Sequence, residues 1–142
     1  MDTNRCSKRE DALQGVLAIT FDNADMLCQA LTHPSAVNEH MEGFSESNQR
    51  LEFLGDSFIG FVVARELYCR LPHVSEGDLS EIRSAIVCDE TLAQVAGRLQ
   101  LGSFLHIGHG EGSSGGRQRG SNLAAAMEAI IGAIVLDQGS EV

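Results

Sequence analysis

The run SNQRLEFLGDSFIGFVVARELYCRL at 47–71 proceeds without a proline until Pro72 stops it, and no other segment limits the fold so strongly. Its second half is apolar on most sides, so the periodicity predicts one long, mostly buried helix. At 1.5 Å per residue it spans on the order of 35 Å, the width of a small domain. Everything else must pack around it. The chain has only two prolines, 5% aromatic residues and no sustained period-two alternation, so the expected class is all-α.

The flanking segments supply shorter helices. Arg9 to Ile19 carries Leu13, Val16 and Leu17 on one face, and Asn23 to Leu31 follows an Asp/Asn cap signal. Ser75 opens SEGDLSEIRSAIV with a capping-box spacing in which Asp78 replaces the usual Glu, and Asp89 is the expected cap of DETLAQVAGRLQ. GHGEGSSGGRQRG, 108–120, is rich in Gly and Ser and reads as a mobile loop. Ser121 is the expected cap of SNLAAAMEAIIGAIVLDQG, with Gly139 its stop. The resulting organisation is a tail at 1–9, one domain at 10–139 and a short end at 140–142.

Composition excludes several function classes. A net charge of −10 argues against nonspecific binding to a polyanion, which needs cations to release counterions, so a nucleic-acid partner requires metal ions or local basic patches. No stretch approaches the roughly 20 apolar residues of a bilayer span, and no apolar block follows the charged start. Cys6, Cys28, Cys69 and Cys88 have no C-x-x-C spacing and read as reduced thiols of a cytoplasmic protein. Gly112-Ser113-Ser114-Gly115-Gly116 matches G-x-S-x-G formally but lacks the strand before it and the helix after it. No Gly-Lys-Ser/Thr follows the glycines, so there is no P-loop. His106 and His109 read as solvated loop histidines, and His33 in LTHPSA as structural.

The chemistry-bearing residues lie on the long helix. At about 100° per residue, Glu52 and Asp56 stand about 40° apart, and Gln49 lies within about 60° of Glu52. Like charges on one buried face need compensation. One solution is a salt bridge to Arg50, Arg65 or Arg83; the other is a divalent cation, since Mg2+ takes one or two carboxylates and keeps several waters. Glu128 stands alone in the apolar helix that follows Ser121, beside Ala125, Ala129 and Gly132. That stripe of small residues would let another helix approach and bring a third acid to the same place.

NQRLEFLGDS at 48–57 resembles the signature of the ribonuclease III nuclease domain, bacterial type. ALTHPSAVNE (30–39), LPHVSEGDLSEIRSAIVCDETLA (71–93), LGSFLHIGHGEGSSGG (101–116) and SNLAAAMEAIIGAIVLDQG (121–139) follow in the family's order. The resemblance implies an all-α, homodimeric endonuclease. It would hydrolyse both strands of double-stranded RNA with Mg2+, Mn2+ substituting, and leave 5′-phosphates and short 3′ overhangs. It implies that Glu52, Asp56 and Glu128 hold the metal, with Asp56 and Glu128 catalytic. Glu76 would serve RNA processing at the dimer valley and Phe53 would insert into the partner subunit. Arg117 and Arg119 are candidate phosphate contacts.

Two positions depart from the family pattern. Gln49 stands where an acid is usual, and Ala125 where Asp is usual, leaving Asn122 the only nearby polar side chain one turn earlier. The chain ends at Val142, where members of the family continue toward a double-stranded RNA-binding domain, so at most the nuclease domain is expected here. Ala125 also motivates a second reading, a cleavage-impaired module that binds RNA or assembles into a larger complex. A third, a purely structural dimerisation domain, accounts for Phe53 but not for the converging acids.

Overall fold

The computed structural model describes residues 7–141; Cys6 lies outside them. It is all-α, as the absence of alternation requires. The helices are α1 (Ser7–Leu17), α2 (Ala24–Ala30), α3 (Pro34–Asn38), α4 (Gln49–Arg70), α5 (Glu76–Val87), α6 (Asp89–Arg98), α7 (His109–Ser113) and α8 (Gly120–Gln138). Two 3-10 turns, Leu101–Ser103 and Gly116–Gln118, complete the order. Among the described residues the only β pairing is an isolated parallel bridge between Thr32 and His106.

Local chemistry accounts for the helix ends. Asn23 caps α2 by accepting from the Asp25 N–H at 3.1 Å. His33 caps α3, its ring nitrogen accepting from the Ser35 N–H. Ser75 caps α5 by accepting from the Asp78 N–H at 3.2 Å, while its hydroxyl donates to the Asp78 carboxylate at 2.8 Å. Asp is too short to complete the usual reciprocal bond to the cap's own N–H, so the pair closes side chain to side chain. Two expected caps are corrected. Cys88 and not Asp89 occupies the N-cap position of α6, and Arg119 and not Ser121 that of α8, neither with a capping side-chain hydrogen bond. α1 starts two residues earlier than the periodicity places it and ends at Leu17, where Ala18 turns left-handed with φ 54°.

The core helix is α8, not α4. Leu123, Ala124, Ala126, Met127, Ala129, Ile130 and Ala133 of α8 are buried among Leu13, Leu27, Leu31, Leu92, Ala96, Leu101 and Leu105. α8 is long and apolar enough to span a bilayer by length and composition, which corrects the sequence expectation, yet half of it is buried within this fold. On α4 only Leu51 and Gly55 are buried. Against the expectation of a mostly buried helix, Phe61 is 66% exposed, and Phe53 and Tyr68 stand out at 75% and 74%. The hydrophobic run thus reflects a surface left uncovered in the single chain.

The glycine-rich stretch is ordered, which corrects the expected mobile loop. The Glu39 carboxylate accepts from the His109 and Gly110 N–H groups at 2.7 and 3.1 Å, pinning the start of α7. Asn122 donates to Glu111 and to the Gly116 carbonyl, both at 3.0 Å, pinning its end to α8. Gly115 supplies the left-handed turn between α7 and the following 3-10 turn, with φ 83°. Glu39 lies about seventy positions earlier in the sequence, so the composition of the stretch carries no trace of it.

Candidate metal centre

The site is built where α4 crosses α8. A Cβ on Gly55 would overlap the Glu128 carbonyl oxygen, and one on Gly132 would overlap the Leu51 carbonyl oxygen, so glycine on both helices is required for this approach. The stripe of small residues on α8 is thus where α4 comes closest. Backbone contact at that point fixes Glu128 against the Glu52–Asp56 face. A cavity of about 330 Å³ is lined by Gln49, Glu52, Phe53, Asp56 and Glu128.

Burial and like charge act together on these acids. Glu128 is only 8% exposed, and its carboxyl is pushed from 4.5 to about 7, first by desolvation and then by Asp56, Glu52 and Asp89. Glu52 is also raised, by desolvation, then by Asp89 and Asp56. Asp89 is the acid that sequence reasoning missed: read as a helix cap, it sits in the first turn of α6, near enough for its charge to act on both. Only its helix-start position is visible in sequence. Among the described residues no arginine answers this charge; the ion pairs between them are Arg70–Glu66, His106–Glu10 and Arg119–Glu111. An all-oxygen set of hard donors, with a buried carboxyl left without a cationic partner, fits a hard divalent cation.

The remaining predicted residues scatter. Glu76 is exposed at the start of α5, accepts from the Ser80 hydroxyl at 2.9 Å and does not line the cavity. Ala125 is half-buried and outside the lining. Asn122 does not replace the absent Asp, because it is taken by His33 at 3.1 Å, Glu111 and Gly116. Arg117 turns inward, donating to the Gly102 and Leu105 carbonyls at 3.0 and 2.7 Å, which removes it as a free phosphate contact. Arg119 is held by Glu111 and stays at the surface. His106 is buried against Glu10, correcting its reading as a solvated loop histidine, whereas His109 is exposed. Cys28 is disulfide-bonded, correcting the reading of all four cysteines as thiols, while Cys69 and Cys88 are free. Spacing along the chain does not reveal which sulfur atoms pair.

A family model described as Ribonuclease-III-like matches residues 23–142. The chain belongs to the ribonuclease III-like family. It is 48% identical over 130 residues to Ribonuclease 3 of Geobacillus thermodenitrificans, covering 92% of this chain and 53% of the relative. It is 50% identical over 125 residues to Ribonuclease 3 of Heliobacterium modesticaldum, covering 88% and 53%. The chain therefore spans about half the length of the curated relatives it matches. A solved structure of the nuclease domain of ribonuclease III from Campylobacter jejuni superposes with a TM-score of 0.84 at 40% identity. That match covers 91% of this chain and 86% of that one. The Dicer of Pichia stipitis superposes at 0.60 with 26% identity, over 84% of this chain and 48% of its own. The all-α architecture is accordingly that of the ribonuclease III nuclease domain.

Proposed function

We propose that this chain is the nuclease domain of a ribonuclease III-type endoribonuclease that cuts double-stranded RNA with Mg2+, or with Mn2+ in its place. The observation that carries the reading is the cavity that unites Glu52, Asp56 and Glu128 with no arginine among the described residues to neutralise them. These three hold the metal. When bound, it lowers the pKa of an attacking water and neutralises charge on the phosphate. The residues' own part is to present oxygen donors and to yield a proton: Glu128, poised at about 7, gives up its proton to become a ligand. A cation also reverses the sign of an acidic site, reconciling a chain of net charge −10 with an anionic substrate. Products with 5′-phosphates and short 3′ overhangs are the expectation from the family.

The functional unit is a homodimer. Phe53, Phe61, Val62 and Tyr68 place exposed apolar surface along α4, and such surface is covered in an assembly. The Campylobacter jejuni nuclease domain has structural flexibility in a region involved in dimer formation, so a relative of the same fold pairs with itself. Phe53 is the residue proposed to enter the partner, and Glu76 lies on the adjoining α5 for RNA processing at the valley between subunits. Arg119, rather than Arg117, is the arginine proposed for a phosphate.

The decisive experiment incubates purified protein with a long RNA duplex and Mg2+ or Mn2+, beside Asp56→Asn and Ala125→Asp variants. Cutting by the parent and not by Asp56→Asn supports the nuclease. A second reading rests on Ala125, which stands where the family pattern has Asp. Cutting only after Ala125→Asp identifies an impaired site, and no cutting by any variant favours an RNA-binding or assembly module.

A further inference from the structure

Away from the carboxylate cavity, three buried side chains from three segments converge. They are Glu10 of α1, Cys28 of α2 and His106 of the segment that bridges to Thr32, exposed by only 1%, 8% and 7%. One ligand atom from each lies within 4.8 Å of the others. Glu10 Oε1 and His106 Nε2 are 2.7 Å apart, yet Glu10 Oε2 is buried without any hydrogen-bond partner. A carboxylate oxygen withdrawn from water with nothing to accept from is costly. It marks a place for a positively charged group.

The surroundings hold the cluster rigid and leave it a way in. The His106 N–H donates to the Leu31 carbonyl and the His33 N–H to the His106 carbonyl, both at 2.9 Å, so the backbone bridge sets the imidazole. The Phe44 ring lies 4.7 Å from it, centroid to centroid. A cavity of about 330 Å³ lined by Cys28, Thr32 and Phe44 opens beside the cluster.

We propose that Glu10, Cys28 and His106 form a zinc site that is closed while Cys28 is disulfide-bonded and opens when reduction releases the Cys28 thiolate. A disulfide sulfur carries no charge and is no ligand; the thiolate is. A dithiol transfers two electrons to the S–S bond, yielding two protein thiols and the cyclic disulfide of the reductant. Zn2+ then displaces the Cys28 thiol proton. One thiolate and one carboxylate balance its charge, the neutral imidazole is the third donor, and the fourth position takes water. A mixed S, N and O set selects zinc over Mg2+ or Ca2+. Zinc bonds of about 2.0–2.3 Å require ligand atoms roughly 3.5 Å apart, within reach of side-chain rotation. The metal would tie α1 to α2 and to the His106 segment, independently of the acids proposed for RNA cleavage.

Cobalt(II) is the probe. The dithiol-reduced protein, freed of reductant under anaerobic conditions, is titrated with CoCl2 in excess Mg2+, which occupies the oxygen-only cavity. The expected result is a thiolate-to-cobalt charge-transfer band with tetrahedral ligand-field absorption, saturating at one equivalent and bleached by Zn2+. The disulfide form gives neither. Cys28→Ser and His106→Gln lose the band, while Cys69→Ser combined with Cys88→Ser, which alters only the free thiols, keeps it. A second readout needs no variant: in the same excess of Mg2+, Zn2+ raises the thermal midpoint of the reduced protein and not of the disulfide form. A Glu10–His106 hydrogen bond of purely structural purpose would leave the reduced protein colourless and its midpoint unmoved. Either result, or a band that survives Cys28→Ser, overturns the proposal.

Discussion

In the absence of metal, Glu128→Gln is expected to stabilise the protein at neutral and alkaline pH while abolishing cleavage. The Glu128 carboxyl titrates at about 7 in the folded chain against 4.5 when free, because burial and the neighbouring acids disfavour its charge. A folded value above the unfolded one means that the native state binds more protons between the two. Stability therefore declines as pH rises from about 4.5 to about 7 and stays low above that. Removing the ionisation recovers the loss. From those two values the gain reaches roughly 3 kcal/mol near pH 8 and falls below about 1 kcal/mol near pH 5. These are upper bounds, because Asp56 is exposed and salt screens its repulsion.

For a domain of this size, about 3 kcal/mol raises the thermal midpoint by roughly 10 °C. The assay is a pair of melts, parent and variant, in EDTA at equal protein concentration, repeated near pH 5 and pH 8. Mg2+ reverses the order by stabilising the parent and not the variant. An identical midpoint for both proteins at both pH values, or a gain larger near pH 5 than near pH 8, refutes the assignment of Glu128 as a buried, repelled carboxylate.

Other consequences are as direct. Gly55→Ala, which drives a methyl into the Glu128 carbonyl, is expected to cost roughly 3 kcal/mol or more in urea unfolding, since neither backbone can yield. Glu39→Gln weakens the two bonds that pin α7, and hydrogen exchange across 108–120 accelerates. Backbone N–H groups hold the Glu39 carboxyl below its ordinary value, so in the parent the same protection is present above about pH 4.5 and lost on further acidification. Phe53→Ser shifts the parent's sedimentation from dimer toward monomer with helical content unchanged; a dimer of undiminished affinity would remove Phe53 from the interface.

Legible in the sequence is whatever local periodicity encodes. The long helix expected at 47–71 occurs at Gln49–Arg70, the caps at Asn23 and Ser75 hold, and the stripe around Gly132 marks the closest approach of two helices. Illegible are the features that depend on distant partners. The order of 108–120 comes from Glu39, about seventy positions earlier. Glu10 and His106 are separated by 96 positions, and the only local hint is that Glu10 falls three residues before Leu13, on the inward face of α1. The apolar run of α4 reads as buried because periodicity reports how much surface is apolar, not which molecule covers it.

Gln49 and Ala125 are best understood through the same electrostatics. Each additional carboxylate around the cavity raises the cost of keeping Glu128 ionised without metal and deepens the attraction for a divalent cation once it arrives. A cavity with three lining acids and the more remote charge of Asp89 thus trades metal affinity for stability of the metal-free fold. Ala125→Asp restores a charge at a half-buried position one turn before Glu128. It is expected to lower the midpoint in EDTA near pH 8 and to lower the Mg2+ concentration needed to recover it. If neither quantity moves, position 125 does not share the field of Glu128, and its alanine has no bearing on metal binding.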